Sequence, residues 1–136
     1  MEARGLETNY FSFSDFGVNT LSIGIVSNPE YLASNKDIAK RFLRAIKRGI
    51  EDAQKDPDAA VAAAISALPQ YEAQREVLLK QLKLTFGLLT TPDTTGKPLG
   101  WMSEADWQRT QRALVDYGGV KAVRQVSDYF SNDFIP

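Results

Sequence analysis

The 136-residue chain contains no cysteine and no histidine. Without cysteine there is no disulfide framework, no thiolate nucleophile and no iron–sulfur or cysteine-type zinc centre. Without histidine the commonest general base and the commonest transition-metal ligand are missing. Of that chemistry only an oxygen-ligand metal site or a carboxylate pair is left, and the sequence assigns no catalytic residue, no metal and no cofactor. An excess of either charge is missing too. Lys plus Arg is 16 and Asp plus Glu is 17, for a net charge of −1. A protein that tracks phosphates carries a clustered basic excess, so nucleic acid is not an expected partner. No apolar run approaches the roughly 20 residues of a membrane span. The first nine residues hold Glu2, Arg4 and Glu7 and no apolar h-region. No signal peptide is therefore expected, and the chain as written would stay in the cytoplasm.

What is present suits one folded domain over residues 1–136. Apolar residues make up 43% of the chain, and a compact chain of this size buries roughly two-thirds of its unfolded surface. Tyr10, Phe11, Phe13 and Phe16 interleave with Ser12, Ser14 and Asp15, and Gly17 offers a turn. Leu21, Ile23 and Ile25 then alternate with Ser22 and Gly24, which predicts a strand over Thr20 to Ser27. Asn28-Pro29 ends it. Four to five helices follow. After a possible turn over Pro29 to Ala33, Asn35 is placed to cap a helix running to about Gln54. Ile38, Phe42, Ile46, Ile50 and Ala53 line one apolar stripe of it, and Lys36, Lys40, Arg44, Lys47 and Arg48 fill the other positions. That basic face is read as a solvated surface, with an anionic partner as the alternative.

Asp56-Pro57 restarts the chain as an alanine-rich helix to Leu68, since Asp accepts from free first-turn N–H groups and Pro at the first position costs no bond. A third helix is expected from Tyr71 to Leu88, and Thr90 to Gly100 is the clearest loop. Ser103 with Asp106 forms a capping-box-like start, with Asp in place of the usual Glu or Gln, and Met102 with Trp107 adds a hydrophobic staple. The helix should reach Tyr117, where Gly118-Gly119 supplies a left-handed stop. Val120 to Val126 is read as a last short helix. A lone strand cannot satisfy its own edges. It must pair with a symmetry mate, or with strands outside this sequence.

Four stretches together carry a family resemblance. They are Ser14-Asp15-Phe16-Gly17-Val18-Asn19 leading into Leu21 to Val26; Ser27 to Leu32 with Asn35-Lys36-Asp37 and Arg41 to Ala45; Asp56 to Val61; and Trp107 with the closing run Tyr129 to Pro136. In order and spacing the chain resembles the C-terminal part of ABC-transporter substrate-binding proteins of the group that binds nitrate, sulfonates, taurine and thiamine-type pyrimidine precursors. The resemblance implies an α/β fold of the periplasmic-binding-protein kind, of which this chain would be a partial, mostly α lobe. It also implies a periplasmic or otherwise extracytoplasmic location, a small organic solute as ligand, and an ABC permease as partner of the full-length protein. It implies no enzyme, because the synthase chemistry of some relatives draws on histidine and cysteine.

The resemblance places Asp15, Asn19, Thr20 and Ser22 at the edge of the ligand cleft, where polar side chains bond a ligand's polar rim. Read without it, Asp15-Phe16-Gly17 is a turn, and Asn19, Thr20 and Ser22 are the solvent face of a strand. The early aromatics suit stacking on a flat heterocycle, or else packing at an edge. Trp101 and Trp107 read as packing residues, and Glu104 and Asp106 as acids favoured at a helix start. Two functions follow: a truncated relative or a fragment of a solute-binding protein that captures a small organic solute for an ABC importer, or a small helical module that self-associates through the strand and the apolar helix faces.

Overall fold

The computed structural model describes residues 5, 7–18, 20–21 and 23–136. Among them the regular structure is entirely helical. Five α-helices, α1 (Pro29–Ser34), α2 (Lys36–Lys55), α3 (Pro57–Ala67), α4 (Arg75–Phe86) and α5 (Glu104–Asp116), are joined by short 3-10 turns. The chain divides into two compact units: residues 1–34, 91–97 and 101–133 in one, and residues 35–90, 98–100 and 134–136 in the other.

The second unit is built around α3. Asp56 accepts the Ala59 N–H at 2.9 Å and Pro57 stands at the first position, as the sequence predicts. Val61 and Ile65, one turn apart, are its buried side chains. The intervening alanines keep the helix thin, so α2 and α4 both pack on it. The α2 stripe divides. Ala39, Leu43 and Ile50 are half-buried, whereas Ile38, Phe42 and Ile46 stay exposed. Three cations in the C-terminal half of α2 pair along the helix, Lys47 with Glu51 and both Arg48 and Lys55 with Asp52. Exposed pairs of this spacing contribute a few tenths of a kcal/mol each, about 0.3–0.5. They fit the solvated-surface reading. Lys47 also donates to the Pro136 carbonyl at 3.2 Å, which ties the last residues to α2. The third helix begins later than expected. Pro69–Gln74 winds as a 3-10 turn, and α4 starts only at Arg75. Pro69 has no N–H to give, and the tighter winding is a common way to enter a helix.

The first unit centres on α5. Ser103 caps it by accepting the Asp106 N–H at 3.1 Å. The Asn132 amide bridges to Met102 in both directions, donating to its carbonyl at 2.9 Å and accepting its N–H at 3.0 Å. Trp107 lies parallel to the rings of Tyr129 (5.8 Å, 7°) and Phe130 (5.7 Å, 2°). The motifs noted separately, Trp107 and the run from Tyr129, are thus packing partners. The expected helix over Val120 to Val126 is replaced by an irregular strap and a 3-10 turn at Val126–Asp128. Gly119, at φ 73°, turns the chain back. Side chains then satisfy the strap's backbone: Gln111 donates to the Arg124 carbonyl at 2.8 Å, and the Tyr129 hydroxyl accepts the Arg124 N–H at 3.1 Å.

The predicted strand over Thr20 to Ser27 is not formed, and the expectation of one N-terminal strand ahead of the helices is corrected accordingly. Residues 23–28 are irregular, and no backbone–backbone hydrogen bond among the described residues engages Ile23 to Ser27. Alternation selects which side chains share a face, but a strand exists only as part of a ladder. Among the described residues there is no second strand to complete one. The residues of this stretch stand exposed instead, Ile23 fully at 101%, Val26 at 94% and Ile25 at 59%.

Candidate functional site

The residues that the sequence singles out lie at the start of the first unit. Residues Phe13–Phe16 form a 3-10 turn closed by a reciprocal cap. The Ser12 hydroxyl accepts the Ser14 N–H at 3.3 Å, and the Asp15 carboxylate accepts the Ser12 N–H at 3.1 Å. Gly17 ends the turn at φ 79°, a conformation that favours glycine. Asp15 is therefore an exposed turn residue whose carboxylate also holds the turn together. Thr20 is exposed. Asn19 and Ser22 lie outside the described residues.

Phe11 meets Phe16 edge-on at 5.5 Å (81°) and Phe13 at 6.5 Å (85°). Edge-to-face contacts of this kind leave ring faces open. All three rings remain more than 70% exposed. The turn thus presents an aromatic shelf with a carboxylate on the same few residues. Such a shelf can stack on a flat ring system while the carboxylate accepts an N–H or O–H from its rim. The sequence identified these aromatics but could not tell display from packing, because exposure depends on which other elements cover them.

A second cluster was not foreseen. Asp106 is 5% exposed, and its carboxylate accepts the Thr91 hydroxyl at 2.6 Å and the Arg109 guanidinium. Arg109 donates to Asp93 as well. Hydrogen bonds to Asp93 first and Asp106 second raise the Arg109 pKa above its ordinary value, so the guanidinium stays charged. The buried Thr94 hydroxyl accepts the Thr91 N–H at 2.8 Å and completes the turn. The available signal was the Asp at the position where a capping box takes Glu or Gln. The shorter side chain is free to turn elsewhere, and here it pins residues 91–94 to α5. Glu104 instead accepts from Gln108 at 3.0 Å. The two acids at the start of α5 thus serve separate partners and do not form a carboxylate pair. Among the described residues no group of three acidic side chains is arranged to hold a metal ion.

Comparison with known proteins bears out the resemblance. Residues 1–60 match the family described as NMT1/THI5 like. The riboflavin-binding protein RibY of Chloroflexus aurantiacus is 27% identical over 141 aligned residues, covering 100% of this chain and 39% of that protein. The chain therefore spans about two-fifths of the length of this curated relative. No solved structure matches. No helix among the described residues is long and apolar enough to cross a membrane.

Proposed function

We propose that this NMT1/THI5-like chain is the part of a solute-binding protein that lends one wall to the ligand cleft, and that the protein captures a small, flat organic solute without changing it. The observation that carries the reading is the aromatic shelf of Phe11, Phe13 and Phe16 beside Asp15, within the residues that match the family. Stacking and apolar burial do most of the binding, and the polar residues Asp15, Asn19, Thr20 and Ser22 orient the ligand's rim. A heteroaromatic solute such as riboflavin or a thiamine precursor fits this shelf better than a sulfonate does, since the shelf offers rings and a carboxylate rather than cations. The family is typically extracytoplasmic, and an ABC permease is the receiver for such a solute.

The test is riboflavin fluorescence on titration with the chain, with a thiamine pyrimidine precursor and taurine as competitors. Quenching relieved by the pyrimidine and not by taurine is the expected result. Flavin emission unchanged at every protein concentration, with no rise in melting temperature under any of the three solutes, overturns the reading, because a ligand bound only by the folded state must stabilise it.

A second reading is a self-associating helical module with no ligand of its own. It draws on the full exposure of Ile23.

A further inference from the structure

From Gly5 to Asn35 the sequence holds Glu7, Asp15 and Glu30 and not one Lys or Arg. The aromatic shelf stands within this stretch. The chain as a whole is close to neutral, so the bias is local. The turn beneath the rings has the same bias in its hydrogen bonds. An anion held by backbone needs N–H groups that converge on it. In this turn they are spent internally. The Ser12 N–H goes to the Asp15 carboxylate and the Ser14 N–H to the Ser12 hydroxyl. Those of Asp15, Gly17 and Val18 go to the carbonyls of Ser12, Ser14 and Phe13, each at 3.0 Å. The Ser12 and Ser14 hydroxyls bond to each other. What the turn still offers is an acceptor. Asp15 Oδ2 takes the Ser12 N–H, and its Oδ1 makes no hydrogen bond or ion pair among the described residues.

We propose that the shelf selects for positive charge: of two flat ring solutes of one shape it holds the cationic one more tightly, and it disfavours one that carries a phosphate. The selection rests on the shelf serving as a ligand wall. Two contributions have the same sign. The faces of Phe11, Phe13 and Phe16 are the negative part of each ring's quadrupole and attract a cation stacked above them. The Asp15 carboxylate adds a full negative charge at the rim, which favours an opposite charge and repels a like one. A positive charge spread over a flat ring meets both, because the ring stacks while its edge donates to Asp15 Oδ1. A phosphate ester meets neither spare backbone N–H groups in the turn nor a cationic side chain from this stretch. The wall therefore favours the unphosphorylated form of a ligand over its phosphate ester.

Two matched pairs of fluorescent three-ring compounds separate charge from shape. Acridine and N-methylacridinium differ by one positive charge at slightly alkaline pH. Riboflavin and its phosphate ester differ by the phosphate. At low salt N-methylacridinium binds about tenfold more tightly than acridine, and riboflavin about fivefold more tightly than its ester, as a cation–π contact and one exposed charge pair give. Both ratios fall as salt is raised to about 1 M. Asp15→Asn keeps an acceptor for the Ser12 N–H and reduces both ratios by about threefold or more. Asp58→Asn, which takes the same charge from the first turn of α3, leaves them unchanged. A ratio between ligands of one shape isolates what this wall contributes, whatever lies opposite it. If none of the four compounds binds, the ligand wall itself is overturned and the selection with it. If riboflavin or acridine binds but either pair shows equal affinities, the charge selection alone is overturned and the wall stands. Ratios that Asp15→Asn does not move overturn it as well.

Discussion

The Thr91 hydroxyl donates to the Asp106 carboxylate at 2.6 Å, joining a loop to a helix fifteen residues further along the chain. Asp106 is buried and also holds Arg109, which reaches on to Asp93. Removing a buried carboxylate leaves the Thr91 hydroxyl without its acceptor and Arg109 with one anion fewer, a loss of about 2–3 kcal/mol for buried hydrogen-bonded charge. Asp106→Ala is expected to lower the urea midpoint accordingly. Asp93→Ala, at the exposed end of the cluster, should cost less than about 1 kcal/mol. Equal effects from the two would mean that Asp106 acts only as a surface residue. Variants, not pH, are the right probe of Arg109. Its pKa is raised in the folded state, so its contribution is fully present below the ordinary arginine range and is lost only as pH rises above it.

Trp107 carries a buried indole N–H with no hydrogen-bond partner among the described residues, although its ring packs against Tyr129 and Phe130. Replacing the indole by a phenyl ring deletes the orphan donor, and because a buried unsatisfied donor costs about 1–3 kcal/mol this gain is expected to offset most of the packing lost with the smaller ring. Trp107→Phe tests this by chemical denaturation. Trp107→Ala, which removes the stack as well, should destabilise by about 3 kcal/mol. A larger loss for Trp107→Phe than for Trp107→Ala would refute the account.

The two glycines that end α5 have different reasons to be glycine. A Cβ on Gly118 would sit 2.9 Å from the Leu114 carbonyl oxygen, a backbone atom that cannot step aside. At Gly119 there is open space, but the backbone is left-handed at φ 73°. Gly119→Ala should cost about 1 kcal/mol of conformational strain, and Gly119→Asn less, since Asn tolerates that region. Gly118→Ala and Gly118→Asn should be equally harmful, because the clash is at the Cβ itself. Thermal unfolding of the four variants checks the pattern. Rescue by Asn at position 118 would contradict it.

The helices were legible because their signals are local. Asp56-Pro57, Ser103 and Gly118-Gly119 each act through bonds within a turn or two, and each boundary stands within a residue or two of its expected place. The resemblance was legible for the same reason: short motifs in fixed order survive when partners are unseen. The strand was not legible, because a strand at Ile23 and Ile25 depends on a neighbour that the segment's own alternation cannot supply. The Asp93–Arg109–Asp106 cluster was missed because it spans a loop and a helix, and nothing in residues 91–97 announces which way Asp93 faces. Of the candidate site, the turn at Asp15 was readable from Asp-Phe-Gly. Whether the flanking rings pack or are displayed was not, since exposure is set by what covers them.

That display makes the shelf open to direct test. Phe11, Phe13 and Phe16 are exposed, so replacing them removes little folded-state packing, and surface changes of this kind stay within about 0.5 kcal/mol of stability. Phe11 touches both other rings, so it is the member whose loss opens the shelf most. Stacking on an aromatic contributes about 0.5–1.5 kcal/mol beyond area burial, and the buried area adds to that. Phe11→Ala is therefore expected to weaken riboflavin quenching by about tenfold or more while the melting temperature of the free chain moves little, and Phe11→Tyr should retain most of the affinity. Asp15→Asn keeps an acceptor oxygen for the Ser12 N–H and should bind more weakly only if the carboxylate's charge meets the ligand. The combination that separates a ligand wall from a packing cluster is loss of binding without loss of stability. Phe11→Ala that unfolds the chain, or that binds as tightly as the parent, would remove the shelf from the site.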